Sequence, residues 1–171
     1  YGNICFDVLY SKMRLLIIFL FLSFSQNSFS QNVNTNDLDN YLKIYINMSG
    51  MLGVDLKYVY NQKIKMEYIN AKDLFKLDNA IALAWGMNKD DEVTIMVDRT
   101  QWLRLSLMEK MSVMFHELSH DILNAEHDDS NENNLMHTVN LPKTQQELIN
   151  QTAVLLSEYF PNQVKYNLKF K

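Results

Sequence analysis

Two histidines stand four residues apart in a stretch with the pattern of a single helix. His116 and His120 enclose Glu117, and neither Pro nor Gly interrupts the chain over residues 107–123. Side chains four apart on a helix lie one turn above each other, with Cβ atoms about 5–6 Å apart. Both imidazole rings can therefore reach one small cation, and we predict a metal site on this face of the helix.

Local signals mark both ends of this helix. Ser106 and Glu109 have capping-box spacing, which predicts a start at Leu107. Asn124 is the residue best able to adopt the left-handed conformation that ends a helix. Apolar residues at helical spacing predict a buried face distinct from the histidine face; they are Met111, Met114, Leu118 and Ile122, with Phe115 beside them.

The order His116-Glu117-x-x-His120 is the HExxH arrangement. In such sites zinc lowers the pKa of a bound water to about 7, and the glutamate removes its proton. Glu117 points about 100° around the helix from its neighbour His116, so it would flank the metal. Zinc is therefore the predicted cofactor, and Glu117 is the predicted catalytic base.

A catalytic zinc usually has three protein ligands and an open position for water. The stretch resembles a zincin and, within that group, a metzincin, in which a helix-ending Gly follows HExxH and a third His comes three residues later. Here Asn124 stands at the turn and His127 follows it by three residues. The resemblance implies that His127 is the third ligand. Counting strictly from His116, the same position falls on Glu126, which remains the alternative.

The resemblance extends to a methionine turn downstream. Asn134-Leu135-Met136-His137 is similar to that turn, which implies that Met136 lies beneath the zinc as an apolar floor. A different group of zincins takes a Glu ligand from the next helix, and Glu147 would be that residue here. Its capping-box spacing to Thr144 already explains Glu147. The other candidates are loop residues for which a structural role is favoured: Asp128, Asp129, Glu132 and His137.

The whole pattern predicts an α+β fold. An amino-terminal helix begins near Asn36, and a carboxyl-terminal helix follows Thr144. The resemblance implies a zincin or metzincin fold, in which a small mixed sheet of about four strands packs with these two helices and the central HExxH helix. The predicted strands are 56–60, 64–68, 80–85 and 93–97, and the alternating tail 164–170 could add a short one.

The first 30 residues are not predicted to belong to the folded domain. Met13-Arg14 precedes an apolar run at 15–22, and Ser28 and Ser30 are small residues at cleavage-determining positions, as in a secretory signal peptide. An uncleaved amino-terminal anchor is the alternative, although the run is short for a membrane span. Residues before Met13 fit no part of a signal peptide and are interpreted as translated upstream sequence.

Residues 31–171 are then predicted to form a single metallopeptidase domain. The sole cysteine, Cys5, lies upstream, so this domain has neither a disulfide nor a cysteine nucleophile. We expect an exported protein, periplasmic or secreted, without a stable membrane anchor.

Charge and the resemblance together suggest the partners. The formal net charge is −4 and no basic block is present, which argues against nucleic acid. The resemblance implies a peptide or protein substrate. One way for it to bind is as an added strand along Val93–Val97. That Val93–Val97 is a core strand without a substrate role is an equally weighted alternative.

These features predict an exported zinc-dependent endopeptidase. The first alternative is an exported protein that holds a metal in the same site without catalysis. The second is that HExxH is accidental on a structural helix, in which case no stoichiometric metal is bound.

Overall fold

A computed structural model of the chain describes residues 36–70, 80–85, 91–138 and 141–165. These residues all belong to one compact unit, Asn34–Lys171. The predicted signal peptide and upstream residues, within 1–30, lie outside the described residues, as does the tail 166–171. Of the helices that the structure describes, none combines the length and apolar character needed to span a membrane.

The three predicted helices are confirmed, and one short helix was not predicted. Helix α1 spans Asn36–Met51, the unpredicted α2 spans Arg99–Trp102, α3 spans Leu107–Leu123 and α4 spans Gln145–Tyr159. Helix α3 carries the HExxH motif, with the bounds that its end signals predicted. Helix α1 buries the residues that recur at helical spacing, namely Leu38, Tyr41, Leu42, Tyr45 and Met48.

Side chains cap these helices as their spacing predicted. Ser106 and Glu109 form a complete capping box on α3, and Thr144 and Glu147 form one on α4. Each box satisfies amide groups that the first turn of a helix leaves without partners. At the other end of α3, Asn124 is left-handed, with φ 52° and ψ 35°.

Three strands form the sheet in the described part of the chain. They are β1 at Lys63–Ile69, β2 at Ala82–Ala84 and β3 at Glu92–Asp98, in the order β1-β3-β2. Strand β3 pairs parallel to β1 and antiparallel to β2. The mixed α+β class is therefore shown. Strand addition along Val93–Val97 is ruled out, because this strand is central and both of its edges are already paired.

Two other strand predictions are corrected. Residues 56–60 were predicted to be extended, but Lys57–Asn61 form a 3₁₀ helix. The Asp55 carboxylate accepts the Lys57 amide at 3.0 Å, which starts a local turn in place of a sheet ladder. The run 80–85 was predicted to be a buried strand, yet β2 is short and lies at the edge of the sheet that the described strands form, and the Trp85 that follows it is 52% exposed.

Helix α3 is held against both α1 and the sheet. The rings of Tyr45 and Phe115 meet edge to face at 5.0 Å, and the Tyr45 hydroxyl pairs with Ser119 Oγ at 2.9 Å. On the sheet side, Asp121 Oδ2 accepts the Thr94 amide at 3.0 Å. These buried polar contacts fix the rotation of α3 about its axis, so the direction of its histidine face is also fixed.

Candidate metal centre

Three histidine nitrogens converge at one point beside α3. The Nε2 atoms of His116, His120 and His127 lie 3.1 Å from one another in every pairing. His116 and His120 are buried, whereas His127 is exposed. The three histidines therefore lie at the protein surface, with two rings buried and one exposed, so that an ion or a water can reach them from solvent.

The Nδ1 atoms of two histidines, which point away from the nitrogen triangle, face backbone carbonyls. His116 Nδ1 lies 2.9 Å from Leu135 O, and His120 Nδ1 lies 2.6 Å from Ala125 O. A carbonyl oxygen only accepts, so each Nδ1 must carry the proton, and each Nε2 of a neutral ring then presents a lone pair. Two lone pairs at 3.1 Å repel unless a cation lies between them. The three imidazoles are thus close enough to bind a metal ion, and the carbonyls hold His116 and His120 in the tautomer that can do so.

Burial favours the unprotonated form of His116 and His120. It lowers the pKa of His116 to about 4, against the opposing effect of the Leu135 hydrogen bond, and the neighbouring histidines lower it further. Burial also lowers the pKa of His120, and the His127 charge acts in the same direction. Neutral imidazole is the form that coordinates metals, so the fold keeps these rings ready for one.

The nitrogen triangle is close to the size that a tetrahedral metal requires. Zinc binds imidazole nitrogen at about 2.0–2.1 Å, which places nitrogens of a tetrahedral site about 3.3–3.4 Å apart. The observed 3.1 Å is slightly tighter. Three imidazoles with one open position suit zinc and related transition metals, whereas magnesium and calcium prefer oxygen ligands.

The end of α3 brings His127 into this group. The left-handed Asn124 reverses the chain, and its amide bonds Ser119 O. Ala125, fully buried, follows and directs its carbonyl to His120. Two residues later the chain places His127 beside both helical histidines. One backbone turn therefore supplies both a candidate ligand, His127, and the carbonyl that orients another, His120.

A second loop, residues 134–137, orients His116. The side chain of Asn134 is 1% exposed; its Oδ1 accepts the Met136 amide at 3.0 Å. Its Nδ2 donates to the Glu158 carboxylate of α4, at 3.2 Å to Oε1. The loop is tied back to the third-ligand segment because the Asp128 amide donates to Met136 O at 3.1 Å. Leu135, between Asn134 and Met136, is thereby held with its carbonyl at His116.

The side chain of Glu117, the predicted base, extends from α3 to strand β2. Its Oε2 accepts the Ala84 amide at 2.7 Å. Burial raises the pKa of Glu117 to about 7, and the Ala84 hydrogen bond opposes that rise. A carboxylate with a pKa near neutrality can both accept and return a proton, which general acid–base catalysis requires.

The other sequence candidates lie outside the histidine group. Glu126 is exposed and is not among the ligating atoms that lie within 4.8 Å of one another. His137 instead faces Asp129 at 3.6 Å. The Glu147 carboxylate accepts the Lys143 amide at 2.8 Å, in keeping with its role as a helix cap. Met136 is 1% exposed in the turn that was predicted for it.

Sequence reasoning missed the groups that support the ligands. The carbonyls of Leu135 and Ala125 carry no side-chain signal, and Glu158 lies 24 residues from its partner Asn134. The amide of Ala84 was also not foreseen. Only Asn134 could have been found, because it begins the segment that resembles a methionine turn.

Comparisons of the chain with protein-family models, with curated proteins and with solved structures found no match.

Proposed function

We propose that this protein is an exported, zinc-dependent endopeptidase. The observation that supports this most strongly is the convergence of His116, His120 and His127. Glu117 lies beside this group, on the helix that carries His116 and His120. Three imidazoles with an open position are the ligand set of a catalytic zinc, as opposed to the closed four-ligand set of a structural one. Export is proposed from the signal-like segment within residues 1–30.

Each residue of the site has a role in this proposal. When bound, zinc supplies a Lewis acid that polarises a carbonyl and acidifies a water. Glu117 takes the proton from the attacking water and delivers it to the leaving amine. The carbonyls of Leu135 and Ala125 keep the rings of His116 and His120 aimed at one point. Met136 forms an apolar floor to the site.

A metzincin-like arrangement is part of the same proposal. The left-handed turn at Asn124, with His127 three residues later, supports it, as does the buried Met136. In the fold that the sequence resembles, an extended peptide adds to the strand nearest the cleft. Among the described strands, β2 lies at the edge of the sheet next to Glu117, so we propose that the substrate adds along β2 and not along Val93–Val97.

The test combines metal analysis with peptide cleavage on the same samples. We would purify the wild-type chain and three variants, His116→Ala, Glu117→Gln and His137→Ala, and measure zinc by elemental analysis. Cleavage would be followed with a mixture of internally quenched peptides. His137→Ala is the matched control, because it removes a histidine that lies outside the nitrogen triangle.

We expect about one zinc per wild-type chain and per His137→Ala chain, and loss of zinc in His116→Ala. Glu117→Gln should keep zinc and lose cleavage by on the order of 10²- to 10⁴-fold. Zinc without cleavage in the wild type would favour the non-catalytic metal-holding protein. A wild-type chain that binds no zinc after reconstitution would overturn both functions.

A further inference from the structure

The outer edge of β2 has an unusual hydrogen-bond partner. Antiparallel pairing with β3 uses the Trp85 amide, which donates to Thr94 O at 2.8 Å, and Ile81 O, which accepts the Asp98 amide at 2.8 Å. Because amides alternate in direction along a strand, those of Ala82 and Ala84 point away from β3. The Ala84 amide is bonded to a side chain, Glu117 Oε2, at 2.7 Å.

This bond restricts the carboxylate of Glu117. A glutamate has three side-chain torsions, and a mobile carboxylate would spend little time in any one orientation. A backbone amide within a paired strand is a rigid donor, and a hydrogen bond to an ionised carboxylate is stronger than one between neutral groups. Oε2 is held by the sheet, so Oε1 is the oxygen left to receive a proton from water.

Strand β2 is itself held in place on its other side. Its pairing partner β3 is tied to α3 because the Thr94 amide donates to Asp121 Oδ2 at 3.0 Å. Asp121 lies four residues after Glu117, one turn along the same helix. Two hydrogen bonds thus join α3 to the sheet, one from Ala84 to Glu117 and one from Thr94 to Asp121. Together they fix the position of Ala84 relative to Glu117.

We infer that the backbone amide of Ala84 is a positioning donor for the general base Glu117, and that strand β2 thereby aligns the base as well as the substrate. The inference rests on the proposed peptidase function. It also restricts how a substrate pairs with β2. The Ala84 amide already donates to Glu117, so the carbonyls of an added peptide strand must find their donors elsewhere along this edge.

The experiment compares two proline substitutions in the full-length zinc-loaded protein. Ala84→Pro removes the donor, and proline is tolerated on an edge strand where its nitrogen points outward. Ala82→Pro is the matched control, since it makes the same change two residues earlier on the same side of β2. Zinc content and circular dichroism verify the site and the fold, and kcat and KM are measured on one quenched peptide.

We expect Ala84→Pro to lower kcat by on the order of 10- to 100-fold with zinc retained, because a misplaced base reacts poorly. The effect of Ala82→Pro should be confined to KM. If Ala84→Pro keeps the wild-type kcat, the inference is overturned while the proposed function stands. If the wild type holds zinc and cleaves no peptide, the proposed function fails and this inference fails with it.

Amide hydrogen exchange provides a second measurement should Ala84→Pro not fold. It compares the wild type with Glu117→Ala and with Glu117→Gln, whose amide oxygen can still accept. Exchange at the Ala84 amide should accelerate at least about 10-fold in Glu117→Ala and stay slow in Glu117→Gln, with Ala82 unchanged in both. Equal exchange at Ala84 in all three proteins would overturn the inference.

Discussion

The Nε2 atoms of His116 and His120 lie 3.1 Å apart, while the Nδ1 atom of each ring faces a backbone carbonyl. Carbonyls fix the proton on Nδ1, so the two facing nitrogens both present lone pairs. The repulsion between two such acceptors destabilises the folded protein unless a cation lies between them. The candidate metal site thus depends on both nitrogens of each ring: Nε2 faces the position of the ion, and the carbonyl at Nδ1 fixes the tautomer.

The third ligand can be identified by changing two neighbouring residues. His127→Ala removes a nitrogen that lies 3.1 Å from both helical histidines, whereas Glu126→Ala removes an exposed carboxylate outside the group. We expect His127→Ala to weaken zinc affinity by more than about 100-fold, beyond the roughly 10- to 100-fold cost of losing a group behind a ligand. Glu126→Ala should stay within about two-fold.

Affinity would be measured by competition with a chromophoric chelator. The reverse result, in which Glu126→Ala loses zinc and His127→Ala keeps it, would make Glu126 the ligand.

Local signals allowed much of α3 to be predicted. The capping box at Ser106, the helix bounds and the left-handed Asn124 each depend on residues a few positions apart, and all three are confirmed. The placement of His127 follows from the same turn. Short-range sequence patterns describe such features well because the interactions that create them are themselves short-range.

Long-range contacts explain what could not be predicted. Whether β2 or β3 lies at the edge depends on pairing between segments far apart, and the alternation of Val93–Val97 looks the same in either position. The same holds for Ala84 and Glu117, 33 residues apart, whose contact uses a backbone group without sequence identity. The 3₁₀ helix at Lys57–Asn61 was not predicted, because the β-rich composition of residues 56–60 favoured a strand over the turn that Asp55 indicates.

The conformation of Asn124 should couple helix termination to metal binding. With φ at 52°, alanine at this position is strained by about 1–2 kcal/mol, whereas glycine accepts the conformation without steric cost. We expect Asn124→Ala to lower both the free energy of unfolding and the zinc affinity, because His127 follows the turn. Asn124→Gly should retain zinc affinity within about three-fold.

Urea unfolding with chelator present and zinc titration of the folded protein separate these two effects. A variant Asn124→Ala that is destabilised yet binds zinc as the wild type does would show that the turn does not position His127.

Acid should weaken the cap of α2. Burial alone would raise the pKa of Asp98, but hydrogen bonds from Gln101 and Thr100 outweigh it and hold this pKa below its ordinary 3.8. A carboxyl whose pKa is lower in the folded state stabilises the fold at pH values above its unfolded pKa, and that contribution is lost as pH falls through the folded pKa. Asp98→Ala should therefore cost about 1 kcal/mol at pH 7 and less near pH 3.

The measurement is urea unfolding of wild type and variant, each with chelator, at pH 7, 5 and 3. Asp98→Asn provides the control, because it retains a capping oxygen without the ionisable group. A stability difference between wild type and Asp98→Ala that stays constant down to pH 3 would contradict the assignment.

Asn134 should matter to the metal although it does not touch it. Its Oδ1 holds the Met136 amide and its Nδ2 reaches the exposed Glu158, so truncation leaves the buried Met136 amide without its partner, at a cost of about 1–3 kcal/mol. Leu135 would also lose its fixed position at His116, and we expect Asn134→Ala to weaken zinc binding by about 10-fold.

The adjacent, exposed Asn133 is the matched control, and Asn133→Ala should change stability by less than about 0.5 kcal/mol. Cobalt substituted for zinc gives a readout that packing alone does not alter, because its visible absorption follows ligand geometry. A destabilised Asn134→Ala protein with the wild-type cobalt spectrum and affinity would assign Asn134 to loop folding alone. A changed spectrum would show that Asn134 influences the geometry of the metal through Leu135, the next residue, whose carbonyl bonds His116.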